Sequence, residues 1–117
     1  MSDLQCAARF VVVDDVSDEL LGQLRGERVA MVYDASADRP AGKAQVVAEA
    51  LRVSARPLDR TIDVLELLAR QPAAMDALRE LADVHRGETV LVLAAGHATG
   101  VLEVSIDGDG VVVRLGT

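Results

Sequence analysis

Short aliphatic runs alternate along this chain with stretches in which apolar positions recur every three or four residues. That alternation predicts strands and amphipathic helices in turn, the pattern of an α/β layer fold. Residues Ala8 to Val13 hold the unbroken apolar run Phe10-Val11-Val12-Val13 and read as a buried strand. Ser17 offers an N-cap, and Asp18 and Glu19 place acids in a first turn where the helix dipole favours them. Leu20, Leu21 and Leu24 then share one helical face that Gly26 closes. Arg28 to Tyr33 reads as a second strand. Pro40 suits a first helical turn, and Ala44, Val47, Ala48 and Leu51 follow at helical spacing. Val53 to Leu58 reads as a weaker strand at a sheet edge, because Pro57 lacks a ladder donor.

Val64 to Ala69 reads as helical, with an interruption near Pro72. From Ala73 to His85, Met75, Leu78, Leu81 and Ala82 mark one face of a longer helix that Gly87 ends. Thr89 to Leu93 is a further buried strand. The closing segment differs: Val101 to Ile106 and Val111 to Leu115 flank Asp107-Gly108-Asp109-Gly110. Asp-Gly pairs between such runs predict an antiparallel hairpin, since glycine supplies the positive φ its turn requires. No repeat, low-complexity tract or linker divides the chain. The expected architecture is a single domain over residues 1–117, an α/β three-layer sandwich with a mostly parallel sheet and a C-terminal antiparallel hairpin.

Composition narrows the classes of partner. At 117 residues, 50% hydrophobic and 26% charged, the chain has the size and apolar content of one globular domain and excludes intrinsic disorder. Phe10 and Tyr33 are its only aromatic residues, so the core is aliphatic and a base-stacking nucleic-acid module is excluded. A net charge of −7 repels phosphate backbones and anionic lipid, so neither nucleic acid nor membrane is an expected partner. The lone Cys6 cannot form an internal disulfide and reads as a small apolar residue in a reducing compartment. The start, Met1-Ser2-Asp3, lacks signal-peptide features and no apolar run reaches the length of a membrane span, so a cytoplasmic location is expected.

Two blocks then carry a resemblance. Tyr33-Asp34-Ala35-Ser36-Ala37-Asp38-Arg39-Pro40-Ala41-Gly42-Lys43-Ala44-Gln45-Val46-Val47-Ala48-Glu49-Ala50-Leu51 aligns without a gap with a block that reads Tyr-Ser-Ser-Pro, Leu-x-Arg-Ala-x-Gln-Thr-Ala, and a helix ending Ala-Glu-Ala-Leu. His85-Arg86-Gly87-Glu88-Thr89-Val90-Leu91-Val92-Leu93 is similar to a His-Pro-Gly-Glu-Thr-Val-Leu-Val-Val strand that leads into a Ser-His-Gly-Gly loop. Both blocks, in this order, resemble the histidine phosphatase (phosphoglycerate mutase-like) superfamily, and the closing hairpin resembles the end of many members. The resemblance covers most of the chain and implies a shortened member, with Gly100 leading almost directly into the hairpin.

That family's chemistry uses a neutral imidazole as nucleophile, arginines and a second histidine around the phosphoryl oxygens, and a carboxylic acid for the leaving oxygen. The resemblance places the nucleophile in an Arg-His-Gly triplet after the first strand, where this chain has Val12-Val13-Asp14-Asp15. Carboxylates there repel a phosphate dianion by several kcal/mol at close range. The second histidine aligns with Ala95, and His97 falls two residues later. Arg39 alone matches a phosphate-binding arginine residue for residue, beside a helix start whose free N–H groups suit an anion.

Other constellations carry less. Asp14 and Asp15 after a strand suit a metal or an aspartyl nucleophile, but read first as turn residues facing solvent beside an N-cap. His85 and His97 have no ligand cluster at metal spacing, and His85 reads as a cation at a helix C-terminus. Gly96-His97-Ala98-Thr99-Gly100 lacks the lysine of a phosphate loop and reads as a connection. Arg52, Arg56 and Arg60 read as solvated.

The leading expectation is a non-catalytic histidine phosphatase-like protein that acts by binding a protein partner, a second copy of itself or a small anionic ligand. No metal and no cofactor are expected. The alternative is a phosphatase or phosphotransfer enzyme with an altered site around Arg39, Asp15 and His97. A third expectation, an unrelated receiver-like fold, requires a fully parallel sheet.

Overall fold

The computed structural model describes residues 7–14, 16–35, 43–58, 61–95, 101–107 and 110–116. Among these residues six strands and four helices follow one another as β1 (Ala8–Val13), α1 (Asp18–Gly26), β2 (Val29–Ala35), α2 (Lys43–Leu51), β3 (Ala55–Pro57), α3 (Val64–Leu68), α4 (Pro72–Val84), β4 (Thr89–Ala94), β5 (Val101–Asp107) and β6 (Gly110–Gly116). The strands form one mixed sheet in the order β3-β2-β4-β1-β5-β6. β1 pairs parallel with β4, and β2 pairs parallel with β4 and β3. β5 pairs antiparallel with both β1 and β6, so β5 alone runs against the other five. A fully parallel receiver-like sheet is therefore ruled out.

Local chemistry fixes the element ends. The Ser17 hydroxyl accepts from the Leu20 amide at 3.1 Å and starts α1, with Asp18 and Glu19 in its first turn. At the other end the Glu27 amide donates to the Leu24 carbonyl. Arg28 has a left-handed φ of 55° that turns the chain into β2, so that strand begins at Val29, one residue later than the hydrophobic pattern predicts. Asp63 caps α3 by accepting from the Leu65 amide at 2.8 Å. Pro72 occupies the first turn of α4, where its missing N–H costs nothing, so it opens that helix. The turn positions Gly108 and Asp109, and Pro40 before α2, lie outside the described residues.

Alternation along the strands divides the core between two faces of the sheet. Phe10, Val12, Tyr33, Val90, Val92, Leu102 and Val104 pack with Leu67 of α3 and with Met75, Leu78 and Ala82 of α4. Val11, Val13, Val32, Leu91 and Leu93 pack on the other face with Leu20 and Leu24 of α1 and with Ala44, Val47 and Ala48 of α2. The near-continuous apolar runs of β1 and β4 are thus explained: both strands are covered on both faces. On the α1 side Arg9 ties three elements together, bonding Glu103 of β5 through Nε and Nη2 at 3.1 Å each and pairing with Glu27 after α1. No helix among the described residues is long and apolar enough to cross a membrane.

Candidate functional site at the carboxyl ends of the strands

In open sheets with parallel strands, ligand sites form beyond the carboxyl ends of those strands. Here three of these ends lie side by side, with Val13 of β1, Leu93 of β4 and Asp34 of β2 in register. The sequence-derived candidates follow these ends: Asp15 after β1, Arg39 after β2 and His97 after β4. All three lie outside the described residues.

The described residues at this edge are specific enough to build the floor of the site. Asp14, the residue after β1, is half-buried rather than fully solvated. Asp34, near the end of β2, is only 6% exposed. A short segment then crosses the carboxyl ends of the paired strands β2 and β4. The Ile62 amide donates to the Ala35 carbonyl at 2.9 Å, the Ala95 amide donates to the Ile62 carbonyl at 2.8 Å, and the Val64 amide donates to the Ala95 carbonyl at 2.9 Å. Asp63 and Ala95 form a parallel bridge, and Ile62 and Val64 are fully buried. The sequence resemblance puts a histidine where Ala95 stands. In this structure both main-chain groups of Ala95 hold the lead-in to α3, and its side chain carries no proton-transferring group. Among the described residues, no cluster of His, Cys, Asp and Glu is arranged to hold a metal ion.

The one described histidine lies elsewhere. His85 follows α4, and the turn it starts is tied to the amino ends of β1 and β4: the Arg9 amide donates to the Glu88 carbonyl at 3.0 Å, and the Gly87 amide donates to Ala7 at 3.2 Å. The imidazole is 7% exposed, with Nδ1 at 2.7 Å from Glu88 Oε1 and Nε2 at 2.7 Å from Tyr33 Oη. A carboxylate only accepts, so Nδ1–H donates to Glu88, which leaves Nε2 of a neutral ring to accept the Tyr33 O–H. Burial pushes the Tyr33 hydroxyl above its usual pKa, with Arg56 opposing and Glu88 reinforcing the shift.

His85 does close the C-terminus of α4, its amide bonding the Ala82 carbonyl at 3.3 Å, and its ring in addition bonds a tyrosine and a glutamate. Hydroxyl, imidazole and carboxylate stand in the order of a nucleophile, base and orienting group. Tyr33 is itself only 7% exposed and packs within the core, so the chain of bonds fastens α4 to β2 rather than presenting a reactive hydroxyl. Tyr33 carried no functional signal in the sequence, since nothing local says that residues 52 positions apart will touch. The place of His85 at a helix end was the legible part.

Comparison with protein-family models finds no match to this chain, and comparison with curated proteins finds none either.

Proposed function

We propose that this chain is a shortened histidine phosphatase-like domain that has lost the family's phosphoryl transfer and acts by binding. Its architecture in this reading is a three-layer sandwich, with the β5–β6 pair as the C-terminal hairpin of the family. The observation that carries the reading is Ala95. It stands at the carboxyl end of β4, where the resemblance requires an imidazole, and its amide and carbonyl are both engaged by Ile62 and Val64. The half-buried Asp14 at the neighbouring end of β1 supports it, because a carboxylate there disfavours a phosphate dianion. The described imidazole, His85, is held by Tyr33 and Glu88 near the amino ends of the central strands and offers no nucleophile to the opposite edge.

A second reading draws on the register of Val13, Leu93 and Asp34, which brings together the strand ends that precede Asp15, His97 and Arg39. It assigns Arg39 to a phosphate, with Asp15 and His97 as the altered reacting groups. Assays of generic phosphate monoesters with the wild type, Arg39→Ala and His97→Ala separate the two. The binding reading expects no turnover above the uncatalysed rate in any of them. Turnover that falls at least about tenfold in Arg39→Ala, a loss of about 1.4 kcal/mol of transition-state stabilisation, establishes the enzyme instead.

A further inference from the structure

The two margins of the sheet differ in a way that points to a partner. One margin, β3, has three residues and ends in Pro57, which has no N–H to donate. The other margin, β6, has seven residues, Gly110–Gly116, and contains the run Val111-Val112-Val113. Among the described residues only β5 pairs with it, and no described strand takes up the backbone donors and acceptors of its outer side. Short length, proline and rows of charge are the usual protections of such an edge, and β6 has only Arg114. A strand is what such an edge binds.

The pattern of charge selects which strand and which register. Across the β5–β6 ladder, Glu103 faces Arg114, Ser105 faces Val112 and Asp107 faces Gly110, so these six residues share one face of the sheet. Glu103 is itself bonded to Arg9 of β1, and the neighbouring Arg114 helps to hold its carboxyl below the ordinary value after the larger effect of Arg9. The row Arg9, Glu103, Arg114 therefore alternates in sign and ends on a cation at the sheet margin.

A second β6 laid antiparallel about a two-fold axis at Val112 continues this alternation. Val112 then meets its own copy, and Arg114 lies opposite Gly110 of the second copy, with that copy's Asp107 one strand further on the same face. Two strand spacings are about 9.5 Å, a gap that an arginine and an aspartate side chain close together when the intervening residue has no side chain. The two-fold axis makes the pair twice. On the other face, Val111 meets Val113 of the second copy, and both already pack against the core. An axis at Val113 instead sets Arg114 against Val112, and an axis at Arg114 sets two cations together. Of these three registers, the one at Val112 satisfies charge and apolar contact at once. Val112 is 53% exposed in the single chain, and this arrangement covers it.

We infer that β6 is a homodimerisation edge, pairing antiparallel with β6 of a second copy about Val112, with Arg114 of each copy bound to Asp107 of the other. This deepens the binding reading above by naming the partner. It is testable apart from the loss of catalysis, since a monomer without phosphatase activity overturns only the dimer.

Sedimentation of the full chain at about tens of micromolar, where transient interfaces associate, provides the test. The wild type is expected as a dimer. Arg114→Asp and Asp107→Arg are each expected to weaken it about tenfold, because two attractions become two repulsions. The double variant Arg114→Asp/Asp107→Arg is expected to regain the dimer. Val112→Cys, in a Cys6→Ser background, is expected to form a disulfide-linked dimer on oxidation, a readout independent of the charge variants' stability. A monomeric wild type overturns the inference and leaves the edge to a strand of another protein. A dimer indifferent to charge reversal, or one that Val112→Cys does not cross-link, overturns this interface.

Discussion

Tyr33 Oη lies 2.7 Å from His85 Nε2, and the two rings meet edge to face with centroids 5.6 Å apart. The contact joins the middle of β2 to the residue that ends α4, while Glu88 holds the far side of the imidazole. Tyr33→Phe keeps the ring but leaves a buried imidazole nitrogen without its donor. The expected loss is about 1–3 kcal/mol, read as a lower denaturant midpoint at unchanged slope. An unchanged midpoint would show that the hydroxyl adds nothing to the fold.

The same residue makes an optical probe. Tyr33 is the sole tyrosine and there is no tryptophan, so phenolate absorbance reports one group. Its hydroxyl is raised above 10.0, chiefly by burial, and a raised group contributes stability that is complete below the unfolded value and lost as pH rises through the folded one. Ionisation is therefore expected above pH 10.0, together with loss of the far-ultraviolet dichroism of the fold. Titration at the ordinary value with the dichroism intact contradicts the buried hydrogen bond.

Acid sensitivity is expected at the opposite face. Glu103 is held below its ordinary 4.5, first by the hydrogen bond from Arg9. A depressed carboxyl contributes stability that is present above 4.5 and lost as pH falls through the folded value. Glu103→Gln is expected to cost about 1 kcal/mol near neutrality, discounted for a pair that is one-third exposed, and nothing once the wild-type carboxyl is protonated. Thermal melts across the acid range check this by the convergence of the two curves.

The Ser17 cap gives a smaller, local effect. Ser17→Ala removes the acceptor for the Leu20 amide and is expected to cost about 1 kcal/mol, with Ser17→Asp retaining most of it. Equal melting of Ser17→Ala and the wild type would make the cap irrelevant to α1.

Phe10 anchors the core of the α4 face. It is fully buried in β1 between β4 and β5, and Phe10→Ala is expected to cost about 3–5 kcal/mol. Phe10→Leu, measured in the same denaturant series, recovers most of that loss if the cost is a cavity.

The elements were legible because each combines a period with a punctuation mark. Ser17 starts a helix, Pro57 confines β3 to an edge, and the runs in β1 and β4 have no polar face because both sides are covered. The boundary at Arg28 was not legible, since a left-handed arginine is imposed by the turn into β2. The strand order was hidden for a different reason. β1 sits between β4 and β5, and no local signal announces pairings that span most of the chain. At the candidate site, Ala95, where the resemblance puts an imidazole, could be read from the sequence. The lead-in Ile62 to Val64 that fastens Ala95 could not, because only folding brings those segments together. For the same reason the tie from Tyr33 to His85 went unread.

The placement of β1 also governs how the molecule comes into being. Arg9 aligns with Thr89 on one side and with Ser105 on the other, so the first strand made has no ladder partner until the last third of the chain exists. On a ribosome adding about 5–20 residues per second, Phe10 and the valines beside it wait several seconds with their backbone unpaired. β2 and β3, by contrast, are neighbours in both sequence and space and can pair at once. A chain released before Thr89 is made therefore carries an apolar β1 without either of its ladder neighbours.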